Sequence, residues 1–374
     1  MVAATSGEQL AMHVAFSWDP SLFNYRNMLG NPYGGLLVEA LQRHGYSFEL
    51  ISLNPTGDIE GVTPGWVWRN RGRVHGFHLH WLQGITNTET ATKAWIQMAA
   101  FTFALLLARV LGYRVIWTLH NMLPHERPHW GVDVVGRYVM ALLANSIICH
   151  CEYAARAYTR RFIRRRNLFV IPHGDFRNAY PADVTRQEAR RELGIPEDAF
   201  VYTSFGNIRG YKGHDDMLEA FKGLEGDHLR LVVAGQRHQF YEGVVGNESV
   251  GDPRVLMHEG KVPIDKLQVY FHAGDVAVFP YRDALTSGAI ITALGFGCPI
   301  IATRVGCIPE LLDDTGAGVL VPPANIPDLR AAMRDAQDWN LTERTRAAHA
   351  VADTLGWDRI ALQTMEAYGP PRTR

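Results

Sequence analysis

The stretch Phe205-Gly-Asn-Ile-Arg-Gly-Tyr-Lys-Gly213 decides the fold. An apolar run, Ala199 to Phe205, precedes it and reads as a buried parallel strand. Asp215 to Leu224 follows, with helical spacing and acidic residues in its first turn. A strand, a glycine-bearing turn and a helix start form the unit of a doubly wound α/β sheet. Gly206, Gly210 and Gly213 let the backbone take positive φ and approach a neighbour closely. Arg209 and Lys212 set two cations beside the N–H groups of a helix start, a pattern that suits a diphosphate. Alone, the same residues also read as a surface turn with solvated charges.

The same alternation runs through the rest of the chain. Beyond the turn, strands are expected at 229–234, 255–258, 275–280, 299–303 and 318–321. Helices are expected near 264–272, 287–296, 307–313, 325–336 and 342–352. Before it, strands are expected at His13–Trp18, Ser47–Leu53, Val74–His80, Arg114–His120, Ser146–His150 and Leu168–Pro172. Helices are expected at Pro32–Gln42, Lys93–Leu111 and Val134–Leu143. Pro172 to Pro196 is proline-bearing and polar, with one helical patch at Thr185–Leu193, and marks the domain boundary. Two domains also follow from 374 residues, too many for one ordinary core. In tandem doubly wound domains ligands bind outside the carboxyl ends of the strands, so strand-end residues are the ones to inspect.

A second such end is Phe279-Pro-Tyr-Arg-Asp-Ala-Leu-Thr-Ser-Gly288. Thr286-Ser287-Gly288 opens a helix, and a hydroxyl at an N-cap with free N–H groups behind it is a second phosphate-sized site or simple capping. Two such helix starts in one domain favour a diphosphate held between them.

Composition excludes several classes. Hydrophobic residues make up 47% and charged residues 20%, which describes a globular chain rather than a disordered one. A net charge of −1 gives no global attraction to nucleic acid. Cys149, Cys151, Cys298 and Cys307 have no framework spacing and are expected to be buried thiols in a reducing compartment. The first residues lack the pattern of a signal peptide. His78 with His80, and Cys149-His150-Cys151, lack a second half at ligand spacing, so no metal site is expected. Glu310 reads as an ordinary helix residue. Arg156, Arg160, Arg161, Arg164, Arg165 and Arg166 crowd one segment, which reads as a solvated face or a dock for anionic lipid. The apolar helix at 93–111 reads as core, with insertion into a bilayer as the alternative.

In combination, Phe205-Gly-x-Ile-Arg-x-Tyr-Lys-Gly213, Pro280-Tyr281, Ser287-Gly288 and Gly297-x-Pro299 resemble the nucleotide-sugar domain of GT-B glycosyltransferases. Asn31-Pro-Tyr33, His78-Leu-His-Trp81, Thr118-Leu-His-Asn121 with Pro124-His-Glu126, and Pro172-His-Gly174 extend the resemblance to the first half. The whole set is most similar to bacterial beta-mannosyltransferases that build exopolysaccharide repeat units from GDP-mannose on a lipid carrier. The resemblance implies an α/β GT-B architecture, two Rossmann-like doubly wound domains facing a cleft. It assigns 1–175 to the acceptor, 176–352 to the nucleotide sugar, and 353–374 to a helix that crosses back, starting after Leu355-Gly356-Trp357.

It further implies a donor site of Gly206, Arg209, Lys212, Gly213, Tyr281, Thr286, Ser287 and Gly288, and an acceptor side with Asp19, Asn31, Tyr33 and Trp81. An inverting transfer needs a base for the acceptor hydroxyl; Glu126, His125, His120 and Asp19 are the candidates, in that order. The leaving diphosphate needs cations or dipoles, so neither a cofactor nor a metal is implied. The implied partners are a nucleotide sugar, a glycan or lipid-linked acceptor and an anionic membrane, with a cytoplasmic location at its inner face and no nucleic acid.

One departure is informative. The retaining enzymes of glycosyltransferase family 4 carry two glutamates spaced E-x7-E before the Gly-x-Pro; counting back from Pro299 puts Ala284 and Thr292 there, with Asp283 off by one. This favours inversion. The alternatives are a retaining family 4-like enzyme using a UDP-sugar, a non-catalytic nucleotide-sugar-binding partner subunit, and a phosphorylase or epimerase. A phosphorylase normally carries a lysine for pyridoxal phosphate, and no convincing one is present.

Overall fold

The computed structural model describes residues 12–18, 31–53, 59–86, 88–124, 129–239, 241–243 and 251–370. The first half contains β1 (His13–Ser17), α1 (Tyr33–Gln42), β2 (Ser47–Ile51), α2 (Pro64–Asn70), β3 (Gly76–Leu79), α3 (Gln83–Thr86), α4 (Ala91–Val110), β4 (Arg114–Leu119), α5 (Trp130–Leu143), β5 (Ser146–Cys149), α6 (Glu152–Phe162) and β6 (Leu168–Val170). The second contains α7 (Arg186–Glu192), β7 (Phe200–Phe205), α8 (His214–Lys222), β8 (Leu229–Gly235), β9 (Val255–Glu259), α9 (Leu267–Ala273), β10 (Val276–Phe279), α10 (Gly288–Gly295), β11 (Ile300–Thr303), α11 (Ile308–Leu312), β12 (Gly318–Val321), α12 (Ile326–Ala336), α13 (Leu341–Asp353) and α14 (Trp357–Tyr368).

Each half builds one six-stranded sheet, in the orders β2-β1-β3-β4-β5-β6 and β12-β11-β10-β7-β8-β9. Every pairing is parallel. Helices cover both faces, which is why the central strands read as unbroken apolar runs rather than alternating ones. Strand order reverses between β1 and β3 in the first sheet and between β7 and β10 in the second. Loops leaving the carboxyl ends at those reversals are where such sheets hold ligands.

The last helix does not stay with the second domain. Trp357, Ile360, Ala361, Ala367 and Tyr368 of α14 join Val14, Phe16, Tyr33 and Leu37 in one core of the first domain. The outgoing and returning chain segments lie side by side. The Asp175 N–H donates to the Leu355 carbonyl, Trp357 Nε1–H donates to the Asp175 carbonyl, and Arg177 pairs with both Asp175 and Asp353. A Cβ on Gly174 would sit 2.4 Å from the Trp357 ring, so only glycine allows this crossing.

One expectation is corrected here. Cys151 and Cys307 are joined by a disulfide across 156 residues, while Cys149 and Cys298 are buried thiols. Sequence spacing carries no sign of a pairing made only when two domains face each other. Of the helices outside the expected set, α6 takes up the arginine-bearing segment over 11 residues, and α2 and α3 are short; α2 does carry one local signal, a Thr63 hydroxyl that accepts from the Trp66 N–H, followed by Pro64.

Candidate active site

At the reversal of the second sheet, β7 runs into Gly206 (φ 121°), a turn, and Gly213 (φ 68°), which opens α8. A Cβ at Gly213 would meet the Pro280 carbonyl oxygen at 2.0 Å, so this glycine is what lets the turn lie against the loop leaving β10. Asp216 clamps the same two segments through a two-pronged pair with Arg282, at 2.8 and 2.6 Å, and the Arg282 N–H donates to the Tyr211 carbonyl.

The clamp brings the expected donor residues together. Lys212 Nζ lies 2.9 Å from where a Cβ on Gly206 would stand and 5.3 Å above the Tyr281 ring. Tyr281 and Ser287 hydroxyls are 3.1 Å apart, and Ser287 Oγ accepts from the Ile290 N–H, capping α10. Burial and the neighbouring Arg209 charge lower the Lys212 ammonium to about 8. A half-buried cation against glycine backbone and the Ser287-capped start of an eight-residue helix has the chemistry to suit an anion such as a diphosphate. Thr286 and Gly288 flank Ser287 at that helix start. Next to it a cavity of about 330 Å³ opens off the ends of β7, β8 and β9, floored by Gly206, Gly235 and Gly260 and walled by Gln236 and Lys261. Asn31, expected on the acceptor side, lines this cavity from the first domain.

Among the described residues the facing end of the first sheet holds five buried histidines, His78 within β3 and His80 just after it, His120 after β4, His150 after β5 and His173 after β6. Burial keeps them neutral, reinforced in all but His150 by repulsion from neighbouring histidines, with His150 lowered to about 4 and His78 and His173 to about 3. Their tautomers follow from the one fixed acceptor. His150 Nδ1 is 3.0 Å from the Ile171 carbonyl, so it carries the proton and Nε2 accepts. His120 Nδ1 must then donate to His150 at 3.4 Å, and His80 Nδ1 to His120 Nε2 at 3.0 Å. The chain ends in His80 Nε2, an acceptor with no partner among the described residues.

This arrangement takes His120 out of the candidate bases, because both of its nitrogens are engaged inside the protein. His125, Glu126 and Asp19 lie outside the described residues. His173 donates Nδ1–H to the Gly174 carbonyl at 2.8 Å, which leaves its lone pair on Nε2, and it lines an inter-domain cavity of about 300 Å³ opposite Ser287. Its sequence signal was its place just past the end of β6. Tyr33 is buried beneath the histidines, its ring against Trp18, His173 and Trp357, and Trp81 stacks beside Trp18 and His120. A Cβ on Gly34 would strike the Trp18 ring, so the start of α1 is pressed onto that cluster.

Ala284 and Thr292 occupy the positions counted back from Pro299. Ala284 is buried, and the Thr292 hydroxyl donates to the Gly288 carbonyl inside α10. Across the cleft the Glu310 carboxylate accepts from the Glu152 and Tyr153 N–H groups at 2.7 and 2.6 Å, so a residue of α11 caps α6 beside the Cys151–Cys307 bond. Among the described residues no group of three or more His, Cys, Asp or Glu side chains is placed to hold a metal ion.

Residues 199–338 match the family model described as Glycosyl transferases group 1. The chain is similar to a D-inositol 3-phosphate glycosyltransferase of Streptomyces bingchenggensis, 26% identical over 367 residues covering 92% of this chain and 74% of that one. It is also similar to a GDP-mannose:glycolipid 4-beta-D-mannosyltransferase of Xanthomonas campestris, 23% identical over 247 residues, 66% of each chain. Among solved structures, sucrose-phosphate synthase from Thermosynechococcus elongatus shares the fold at a TM-score of 0.72 and 18% identity, over 96% of this chain and 98% of that one.

Proposed function

We propose that this chain, a glycosyltransferase with the GT-B fold, moves mannose from GDP-mannose to a hydroxyl of a lipid-linked glycan at the inner face of the cytoplasmic membrane, with inversion. The observation that carries the reading is the convergence of Gly206, Lys212 and the capped start of α10 at the strand-order reversal of the second sheet. There the leaving diphosphate meets a cation and backbone dipoles already in position. The cavity off β7–β9 takes the nucleoside, and the space between Ser287 and His173 takes the sugar. Inversion is supported by Ala284 and Thr292, which put no carboxylate where the retaining family has its pair. The choice of mannose is supported by the similarity to the Xanthomonas enzyme. The base belongs to the first domain; Glu126, His125 and Asp19 remain candidates, and His173 joins them. No divalent metal is needed, because Lys212 and Arg209 meet the diphosphate charge; full activity in EDTA is the expected result.

The inositol-phosphate relatives match more of the chain and favour a second reading, a retaining transfer to a phosphorylated polyol. A thermal-shift screen with GDP, UDP and ADP identifies the nucleotide, since a ligand at about a hundred times its Kd adds about 2.7 kcal/mol of stability. NMR of the first-formed product then identifies the linkage. A beta anomer is expected; an alpha anomer returns the chain to the retaining reading.

A further inference from the structure

Among the described residues α4 is the one helix long and apolar enough to cross a membrane by length and composition, yet it packs along one side against α2, α3 and α5. Only a third of its membrane-length window is buried. Ile96, Phe103, Leu106 and Val110 form an exposed stripe along the opposite side, at helical spacing; Phe103 is 59% and Val110 84% exposed. No charge interrupts the helix between Lys93 and Arg109. The neighbouring segments continue the surface with Trp130, Leu142 at 79% and Ile163 at 77% exposure. A soluble face of this kind is expected to be charged; a contiguous apolar one marks an interaction surface.

Charge says what covers it. Leu142 and Ile163 share an open groove with Arg109, Arg165 and Arg166, so cations rim the apolar surface at one end. These three arginines are exposed, and among the described residues no carboxylate pairs with them. Arg164 between them is structural, donating to the carbonyls of Ala141, Ala144 and Asn145. At the other end Trp95 and Trp130 lie together, Trp95 beside Gly131. Exposed aliphatics, indoles and unpaired guanidinium groups on one face fit an interface of hydrocarbon beneath anionic headgroups.

We infer that the α4–α5 face docks on an anionic lipid bilayer, with α4 lying in the membrane plane rather than crossing it. The stripe enters the acyl boundary to roughly 5–10 Å, and Arg109, Arg165 and Arg166 meet lipid phosphates. This deepens the proposed function, resting on it only in that a lipid-linked acceptor makes such docking useful.

Flotation of the full chain with extruded vesicles tests it. Wild type is expected to float with phosphatidylcholine vesicles containing roughly a third phosphatidylglycerol and to remain largely behind with phosphatidylcholine alone. Arg165→Gln with Arg166→Gln is expected to lower partitioning about fivefold per cation, an effect that vanishes at high salt. Phe103→Ser with Leu106→Ser is expected to lower it at least tenfold on either vesicle. A cooperative melting transition retained without any ligand shows that each variant is folded. Wild type that stays soluble beside anionic vesicles, or an apolar variant that floats as well as wild type, overturns the proposal. So does a concentration-dependent dimer abolished by Phe103→Ser with Leu106→Ser in a chain that ignores vesicles, since the face then belongs to a second copy. Flotation needs no turnover: vesicle binding without GDP binding leaves this proposal standing and removes the donor assignment, and the converse removes only this one.

Discussion

Lys212 is charged in a place that resists charge, half-buried and next to Arg209. With no diphosphate present that charge costs stability, and with one present it is used. Lys212→Met is therefore expected to stabilise the free protein at pH 7 by about 1 kcal/mol once solvent screening is allowed for, and so to raise its melting temperature. The same change is expected to lower kcat/KM tenfold or more, about 1.4 kcal/mol. The wild-type donor affinity should weaken as pH rises above about 8, where the ammonium loses its proton. A variant with neither gain in stability nor loss of turnover removes Lys212 from the site. The five histidines give the opposite pH dependence. Their folded pKa values lie below the unfolded 6.5, so below that pH the unfolded chain binds more protons and stability falls. Denaturant midpoints are expected to drop steeply from pH 6.5 towards pH 4, and His120→Gln should flatten the curve. A flat profile across that window would mean that the chain of imidazoles is already protonated.

At the scale of elements, two short helices carry the contact between domains, α6 capped by Glu310 from α11 and linked to it by Cys151–Cys307. Closing a loop of this length restrains the unfolded chain by about 5 kcal/mol on the chain-entropy account. A reductant should lower the wild-type melting temperature and leave Cys151→Ser with Cys307→Ser unmoved. Equal melting with and without reductant would show that the sulfurs are unlinked, and thiol counting in fresh lysate tells which form the cell holds. None of this contact is visible in the chain read linearly. The donor turn is legible because its glycines and cations fall within nine consecutive residues and obey strand–turn–helix rules. The sheets are legible because strands buried on both faces are continuously apolar. The histidine chain is not, because His80, His120 and His150 come from three strands that only the sheet order makes neighbours. Likewise α4 reads as core from composition, and only its packing exposes the stripe from Ile96 to Val110.

On the scale of the molecule, the chain leaves the first domain near Asp175 and returns near Leu355, so the two crossings form one hinge held by Arg177, Asp175 and Asp353. The first domain is incomplete without the return. Ending the chain after Gly356 removes Trp357, Ile360 and Tyr368 from its core, and with them the Tyr368 hydroxyl 2.8 Å from His78. Burial of three such side chains is worth several kcal/mol, comparable with the stability of a whole domain. The truncated chain is expected to melt in two steps, the first domain far below the second. A single unshifted transition would contradict this. The same feature reverses the order of manufacture. On a ribosome the N-terminal half emerges first, yet its core waits for α14 at Trp357–Tyr368, while the second sheet is complete once β12 at Gly318–Val321 has emerged. The half that is synthesised second is thus the half that can finish folding first. During that wait the apolar stripe of α4 belongs to an unfinished domain, and a nearby bilayer would be the first surface able to shelter it.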